Sequence, residues 1–539
     1  MGGLGWLHRG KTALAAAGVL ALQGAASLAH ADNGVVVTDN GPVRGVETSG
    51  GKQYLGIPYA APPVGSARWM PPMPAERWRG VLDASQFGNV CAQPGTPFGL
   101  ASQSEDCLYL NVFAPDEHGK GNGNGKHKGH DDGAPVMVWL HPGAFQYGDS
   151  NAFDPTDLVE SGVVVVTLNY RLGALGWLSH PALTAESASA TSGNYGFQDQ
   201  QAALRWVQRN IERFGGDPDN VTIFGESAGA VSVHTHMASP SSAGLFHRAI
   251  AQSGSYSLSQ PTLATAEAQG QAYATAIGCA SQDAACLRSV PVATLLANQS
   301  TSPSAYLPKV DGSLLPVSIA TAFGTGQFNR VPVIEGTTRN EFSLFVATSF
   351  ELKGIPVIPQ TYIPLISAML SVPPATAQAI ASFYPLAAYP NTGTALTAVA
   401  TDAAFSCNMR VAARLLSQWV PTWVYEFNDP TAPQIFLPPV SFAYGAYHGS
   451  ENQYLFDMRE AVPAPALTPV QEQLSMSMQG YWTNFAKAAD PNASGLPAWN
   501  RFQPSASMDT FQSFNSSGPA PSTGTTFGLV HKCAVWGSP

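Results

Sequence analysis

The sequence predicts an α/β fold, a mostly parallel central sheet with helices on both faces and inserted loops over the active site. Three observations carry this. Short apolar β-branched runs alternate with longer stretches of helical periodicity. The 539 residues are 45% hydrophobic and only 12% charged, ample for a large core and unlike a disordered chain or a coiled coil. A strand-like run leads directly into a Gly-x-Ser-x-Gly turn and then into a helix-compatible stretch.

Residues 12–29 form a long apolar run that follows His8, Arg9 and Lys11 and ends at Ala29-His30-Ala31. A cationic start, an apolar middle and an Ala-x-Ala end predict a secretory signal peptide over residues 1–31, cleaved near Ala31. Interrupted by Gly18, Gln23, Gly24 and Ser27, the run is short for a membrane anchor. The expectation is a secreted or periplasmic protein with no stable membrane anchor and one domain over 32–539. The formal charge of -10 excludes nonspecific nucleic-acid binding, which needs a cationic surface. Six cysteines, an even count in an exported chain, predict three disulfides, and sequential pairing is the simplest of the possible arrangements. No CxxC pair occurs, so no metal site is expected.

Along the chain, 136–140 (VMVWL), 163–168 (VVVVTL), 221–224 and 422–427 read as strands buried on both faces. Residues 117–133 are Gly-, His- and Lys-rich. His118, His127, His130, Asp131 and Asp132 invite a metal reading there, but glycine-rich chain holds ligands only at heavy entropic cost, and a flexible surface loop is expected. Residues 197–214 place Ala203, Trp206, Val207, Ile211 and Phe214 on one helical face, and Gly215-Gly216 stops that helix.

Gly225-Glu226-Ser227-Ala228-Gly229 follows the 221–224 strand and precedes a helical stretch over 230–238. The turn needs small flanking residues and lifts the serine hydroxyl clear, with the next helix presenting its first amides to developing negative charge. Ser227 is therefore the expected nucleophile. A serine needs a base, and the base an orienting acid, in the chain order Ser, acid, His. His234, His236 and His247 lie too close behind the serine. His531 is near the carboxyl end, and His448 sits in an aromatic, Gly-bounded loop that suits a base. On order alone Asp311, Glu335, Glu341 and Asp402 all remain open as the acid.

Several further motifs accompany this set: Tyr54-Leu55-Gly56-Ile57-Pro58-Tyr59-Ala60, Ala67-Arg68-Trp69, Glu105-Asp106-Cys107-Leu108-Tyr109-Leu110-Asn111-Val112, Asn169-Tyr170-Arg171-Leu172-Gly173 and Gly193-Asn194-Tyr195-Gly196. Together they resemble the type-B carboxylesterase/lipase family, of cholinesterase-like α/β-hydrolases, over most of the chain after residue 34. The resemblance implies an α/β-hydrolase fold and a Ser227-Glu341-His448 triad, since Glu341 falls where the family carries its catalytic glutamate. Asp311 is similar to a separate structural position. Ser253 resembles a serine that supports the triad. The family's disulfides would pair Cys91 with Cys107, Cys279 with Cys286, and Cys407 with Cys533. Arg68 and Glu105 resemble a buried structural ion pair.

Two departures stand out. Where the family usually has His-Gly-Gly-Gly/Ala-Phe, this chain has His141-Pro142-Gly143-Ala144-Phe145. Proline has no N–H to donate. The resemblance makes the second and third slots the donors, so the expected oxyanion hole is Gly143, Ala144 and Ala228. Between Cys91 and Cys107 the only aromatic is Phe98, so the tryptophan cage of choline esterases is not expected. The implied activity is exported serine carboxylic-ester hydrolysis through an acyl-enzyme, with a small ester and water as reactants and no cofactor. The alternatives are a lipase, with a lid in the 91–107 loop or at 342–370, and a non-catalytic binding protein on the same fold.

Overall fold

The structure is a computed structural model describing residues 34–116, 133–300, 302, 305–458, 465–504 and 509–537. The expected signal peptide and nearly all of the 117–133 loop lie outside the described residues. The main sheet contains β1 (Val46–Thr48), β2 (Gly51–Pro58), β3 (Tyr109–Ala114), β4 (Ala134–Leu140), β5 (Val164–Leu168), β6 (Gly216–Glu226), β7 (Arg248–Gln252), β8 (Val333–Thr338), β9 (Thr422–Asn428), β10 (Thr510–Asn515) and β11 (Gly518–Thr523). Their spatial order is β11-β10-β9-β8-β7-β6-β4-β5-β3-β2-β1. The centre from β5 to β10 is parallel, and antiparallel pairs close both edges.

The central strands read as unbroken apolar runs because both faces are covered. Val136, Val138 and Leu140 of β4, with Val164, Val166 and Leu168 of β5, pack on one side with Trp206 and Val207. Met137, Trp139 and Val165 pack on the other with Leu474, Met478, Trp482 and Phe485. Successive side chains on a strand point to opposite faces, which sorts one sequence into two cores. The helix expected over 197–214 is α1 (Tyr195–Asn210), whose last turn tightens to a 3-10 turn at Ile211–Phe214 before Gly215 ends it at φ 81°.

The helices that shape the site are α2 (Ala228–Ala238), α3 (Ser343–Ser349), α4 (Tyr362–Leu370), α5 (Pro374–Phe383), α6 (Thr392–Thr401) and α7 (Cys407–Leu416), with α8 (Pro469–Ala488) behind the sheet. Between α6 and α7 a widened π turn at Asp402–Ser406 swells the helical path. Disulfides join Cys91 to Cys107, Cys279 to Cys286 and Cys407 to Cys533, and no cysteine is left free. Arg68 grips Glu105 through two hydrogen bonds and donates a third to the Val290 carbonyl, so its charge is spent on holding loops together. No single helix among the described residues is long and apolar enough to cross a membrane; the bent pair Pro359–Leu370 and Pro374–Ala388 meets that test jointly, by length and composition alone.

Candidate active site

Three loops leaving the carboxyl ends of β6, β8 and β9 build the site. The first is the turn from β6 into α2. Ser227 stands there at φ 53° and ψ -118°, a conformation non-glycine residues rarely adopt. The turn is locked by packing: a Cβ on Gly225 would lie 2.7 Å from the Leu140 carbonyl oxygen, and one on Gly229 only 1.8 Å from it. The Ser227 amide donates to the Gln252 carbonyl at the end of β7.

The second loop follows β8. Glu341 is fully buried, and its Oε1 accepts from the Thr338 amide and the Thr337 hydroxyl, each at 2.8 Å. The third loop follows β9 and carries His448. His448 Nδ1 donates to Glu341 Oε2 at 2.5 Å. Asn340 ties these two loops together, donating its amide to the Ala446 carbonyl and accepting from the Ala446 amide on Oδ1. A side chain at Gly445, φ 62°, would strike that Asn340 oxygen.

The other acids left open by chain order each have a different partner. Glu335 is bonded to His234, and both are fully buried. Asp402 receives His531 Nδ1 at 2.6 Å, while His531 Nε2 donates to Glu426 at 2.6 Å. Asp311 receives the Asn194 amide group and caps its own loop. Of the four, Glu341 is the acid bonded to His448.

The electrostatics follow from burial and close carboxylates. Burial opposes charge on His448, but Glu226 and Glu341 outweigh it and push the imidazole up to about 9. Burial raises the Glu341 carboxyl, yet His448 and the donors around it hold the group below its usual value. Ser253, at φ 57°, places its hydroxyl beside Glu341, without the geometry of a full hydrogen bond. Glu226 stands 3.2 Å from His448 Nε2, and burial moves its carboxyl up to about 7. Burial and the neighbouring Glu226 and Glu341 also raise Glu451, so a third carboxyl faces the imidazole in a form that resists ionisation. His448 Nε2 makes no hydrogen bond among the described residues.

The His141–Phe145 loop approaches from β4. His141 is buried, stacks on Tyr170 at 4.3 Å, and is held neutral by burial with a pKa of about 4. Gly143 has φ 117°, and a Cβ there would lie 1.8 Å from the Tyr147 carbonyl oxygen. Ala144 and Phe145 also adopt positive φ, at 53° and 60°. Pro142 is not among the positive-φ positions, so its slot does not demand glycine. The amides of Gly143, Ala144 and Ala228 donate to no protein acceptor among the described residues. Donors left free at a helix start and a tight loop are suited to a developing oxyanion.

Several rings that the sequence did not place at the site surround His448 and Ser227. Phe345 and Phe405 each lie 5.0 Å from the His448 ring, and Phe342 packs against both. Tyr256 packs at a tilt against Phe405 at 5.2 Å and sets its hydroxyl against Ser227. Phe98 of the first disulfide loop packs on Tyr147 and Phe436. Nothing in local periodicity marks these rings, because their common destination is set by loops far apart in the chain. Among the described residues no cluster of His, Cys, Asp or Glu could hold a metal ion.

Comparison with known proteins gives a consistent picture. A profile described as the carboxylesterase family matches residues 32–520. A fumonisin B1 esterase of Sphingopyxis macrogoltabida is 33% identical over 95% of this chain and 93% of its own length. A para-nitrobenzyl esterase of Bacillus subtilis (strain 168) is 34% identical, covering 86% of this chain and 92% of that protein. A solved PNB esterase structure superposes with a TM-score of 0.75 at 31% identity, over 91% of this chain and 97% of that one.

Proposed function

The chain belongs to the carboxylesterase family and hydrolyses carboxylic esters, and from that premise we propose that it does so after export, through an acyl-enzyme on Ser227. Ser227 Oγ attacks the ester carbonyl carbon while His448 Nε2 takes its proton. Glu341 holds the imidazole by Nδ1 and balances the charge it gains. The Gly143, Ala144 and Ala228 amides stabilise the tetrahedral oxyanion, and His448 returns the proton to the departing alcohol. Water, activated by the same imidazole, then attacks the acyl carbon and releases the acid and Ser227.

The observation that carries this reading is the 2.5 Å His448–Glu341 bond, with the other imidazole nitrogen 3.2 Å from the residue that precedes Ser227. The His448–Ser227 step would tighten in the substrate complex, as apo hydrogen bonds at such sites commonly do. Complete pairing of six cysteines supports an oxidising compartment. The relatives are named for different substrates, so the feature they share is the ester bond.

The test is Ser227→Ala in the purified protein. Turnover of p-nitrophenyl acetate should fall by about a million-fold with melting temperature retained. An organophosphate should label Ser227 in the wild type, and turnover within about tenfold of wild type in the variant would sink the assignment.

A further inference from the structure

The turn that carries Ser227 is held by a second segment, residues 252–256, and the last of these has no part in the acyl-enzyme sequence. The Gln252 carbonyl accepts the Ser227 amide, and the Ser253 amide donates to the Gly336 carbonyl of β8. A Cβ on Gly254 would lie 2.6 Å from the Ala230 Cβ in the first turn of α2, so only glycine lets the segment lie this close to that helix. The Ser255 hydroxyl donates to Glu335 Oε2 at 3.3 Å, and Glu335 binds His234 of α2 through its other oxygen. Ser255, Glu335 and His234 are all buried. The segment, α2 and β8 are thus tied into one piece, and Tyr256 starts from a fixed backbone.

The Tyr256 ring is partly buried and packs on Phe405 at 5.2 Å, and Phe405 lies 5.0 Å from the His448 ring. One phenylalanine therefore backs both the base and the phenol whose hydroxyl meets Ser227. Burial, reinforced by Glu226, outweighs the Ser227 contact and raises the Tyr256 phenol above its ordinary value. The group beside the nucleophile is a neutral O–H that keeps its proton where the base is active.

We propose that Tyr256 is a further catalytic residue, its hydroxyl donating a hydrogen bond to Ser227 Oγ as charge builds on that oxygen. This deepens the acyl-enzyme reading and rests on it. At rest, a Ser227 oxygen that accepts from Tyr256 leaves its own hydrogen free to turn to His448 Nε2. During attack the imidazole takes that hydrogen while an electron pair of Oγ forms the bond to the carbonyl carbon, and the phenol offsets the charge left on Oγ. The larger effect falls on the second half of the reaction. There the bond between the acyl carbon and Oγ breaks, its electron pair goes to Oγ, and the imidazolium returns a proton to it. A serine alkoxide is a poor leaving group, so a donor already placed at Oγ matters most at this step. Tyr256 transfers no proton in either half. The Gly143, Ala144 and Ala228 amides serve the carbonyl oxygen, whereas Tyr256 serves the oxygen of the nucleophile.

The test is Tyr256→Phe in the full-length protein, which keeps the ring against Phe405 and removes a single oxygen. Rapid-mixing release of p-nitrophenol from p-nitrophenyl acetate gives the burst and the steady rate. Titration of Ser227 with an organophosphate counts the working sites, so unfolded material does not enter the rates. Per site, kcat should fall about tenfold to a hundredfold, the scale of one hydrogen bond to a charged group. KM should fall with it and the burst should become stoichiometric, because the acyl-enzyme accumulates when Oγ leaves slowly. Tyr256→Leu, which lacks the ring as well, should lose at least as much in kcat and also melt earlier. A kcat per site within about twofold of wild type in Tyr256→Phe would overturn the proposal. So would a loss confined to a higher KM, which would make Tyr256 a substrate contact, or a fall in kcat without accumulation of the acyl-enzyme. A wild type that neither reacts with the organophosphate nor turns over the ester would instead strike the acyl-enzyme reading itself.

Discussion

His448, the proposed base, is surrounded by three carboxyl groups, and that arrangement should set how the reaction responds to pH. A general base must be neutral, and Glu226 and Glu341 push this imidazole up to about 9. The rising limb of kcat/KM should therefore lie well to the alkaline side of an ordinary histidine. Glu226→Gln removes one of the charges responsible, so it should move that limb toward neutrality; a limb that stays in place would show that Glu226 does not act on the base. A second expectation concerns the acid. Glu341→Gln should cut turnover by about four orders of magnitude with the fold retained, because the amide favours the wrong tautomer and cannot balance an imidazolium. Asp311→Asn should lower the melting temperature and leave turnover nearly intact, and rates with thermal melts on both variants distinguish the two roles. Chain order left Asp311, Glu335, Glu341 and Asp402 equivalent, and the physical reason is visible. Glu335 faces His234, Asp402 faces His531, and Glu341 faces His448 across 107 positions of sequence, so each acid is defined by a tertiary partner that no local pattern encodes. The Gly-x-Ser-x-Gly turn was legible because its demands are local: two glycines under the Leu140 carbonyl and one serine at positive φ.

At the scale of elements, the central strands were legible because a strand buried on both faces must be apolar throughout, as β4 and β5 are. The antiparallel edges were not, since β1, β2 and β11 are half-exposed and carry no such run. The His141–Phe145 loop concentrates its unusual backbone at Gly143, Ala144 and Phe145, leaving Pro142 in an ordinary conformation. Pro142→Gly should thus keep kcat for a small activated ester within a few-fold of wild type. A gain of about a hundredfold would show that the native loop lacks a donor. The π turn at Asp402–Ser406 gives a second element-level expectation. It delivers Asp402 to His531 on one side and Phe405 to His448 on the other. Burial opposes charge on His531, yet Asp402 and Glu426 raise it to about 9 from an ordinary 6.5. A raised histidine contributes stability that is fully present below the unfolded value and is lost as pH rises through the folded one. The stability advantage of wild type over His531→Gln should be widest just below pH 6.5 and should close as the pH passes 9, measured by denaturant melts across that range.

Across the whole molecule, the disulfides differ in how much chain they constrain. Cys279–Cys286 spans 7 positions, Cys91–Cys107 spans 16 and Cys407–Cys533 spans 126. In the chain-entropy view the middle bridge contributes about 3 kcal/mol and the longest nearer 5. Replacing the cysteine pairs by alanine one bridge at a time should lower stability in that order, with the shortest bridge costing least; equal losses would contradict it. The family resemblance made these pairings legible, whereas cysteine count alone could not order them. The longest bridge also joins two parts of the chain that are far apart in sequence. Cys407 lies at the start of α7, and its partner Cys533 lies 126 positions on, beyond α8, β10 and β11. A chain cleaved just before His531 would keep Ser227, Glu341 and His448 while losing His531 and Cys533. It would then carry an unpaired Cys407 sulfur, with Asp402 deprived of its histidine and Glu426 left to Arg339 alone, so a copy cleaved there reacts with a thiol reagent while the intact fold, with every cysteine paired, does not.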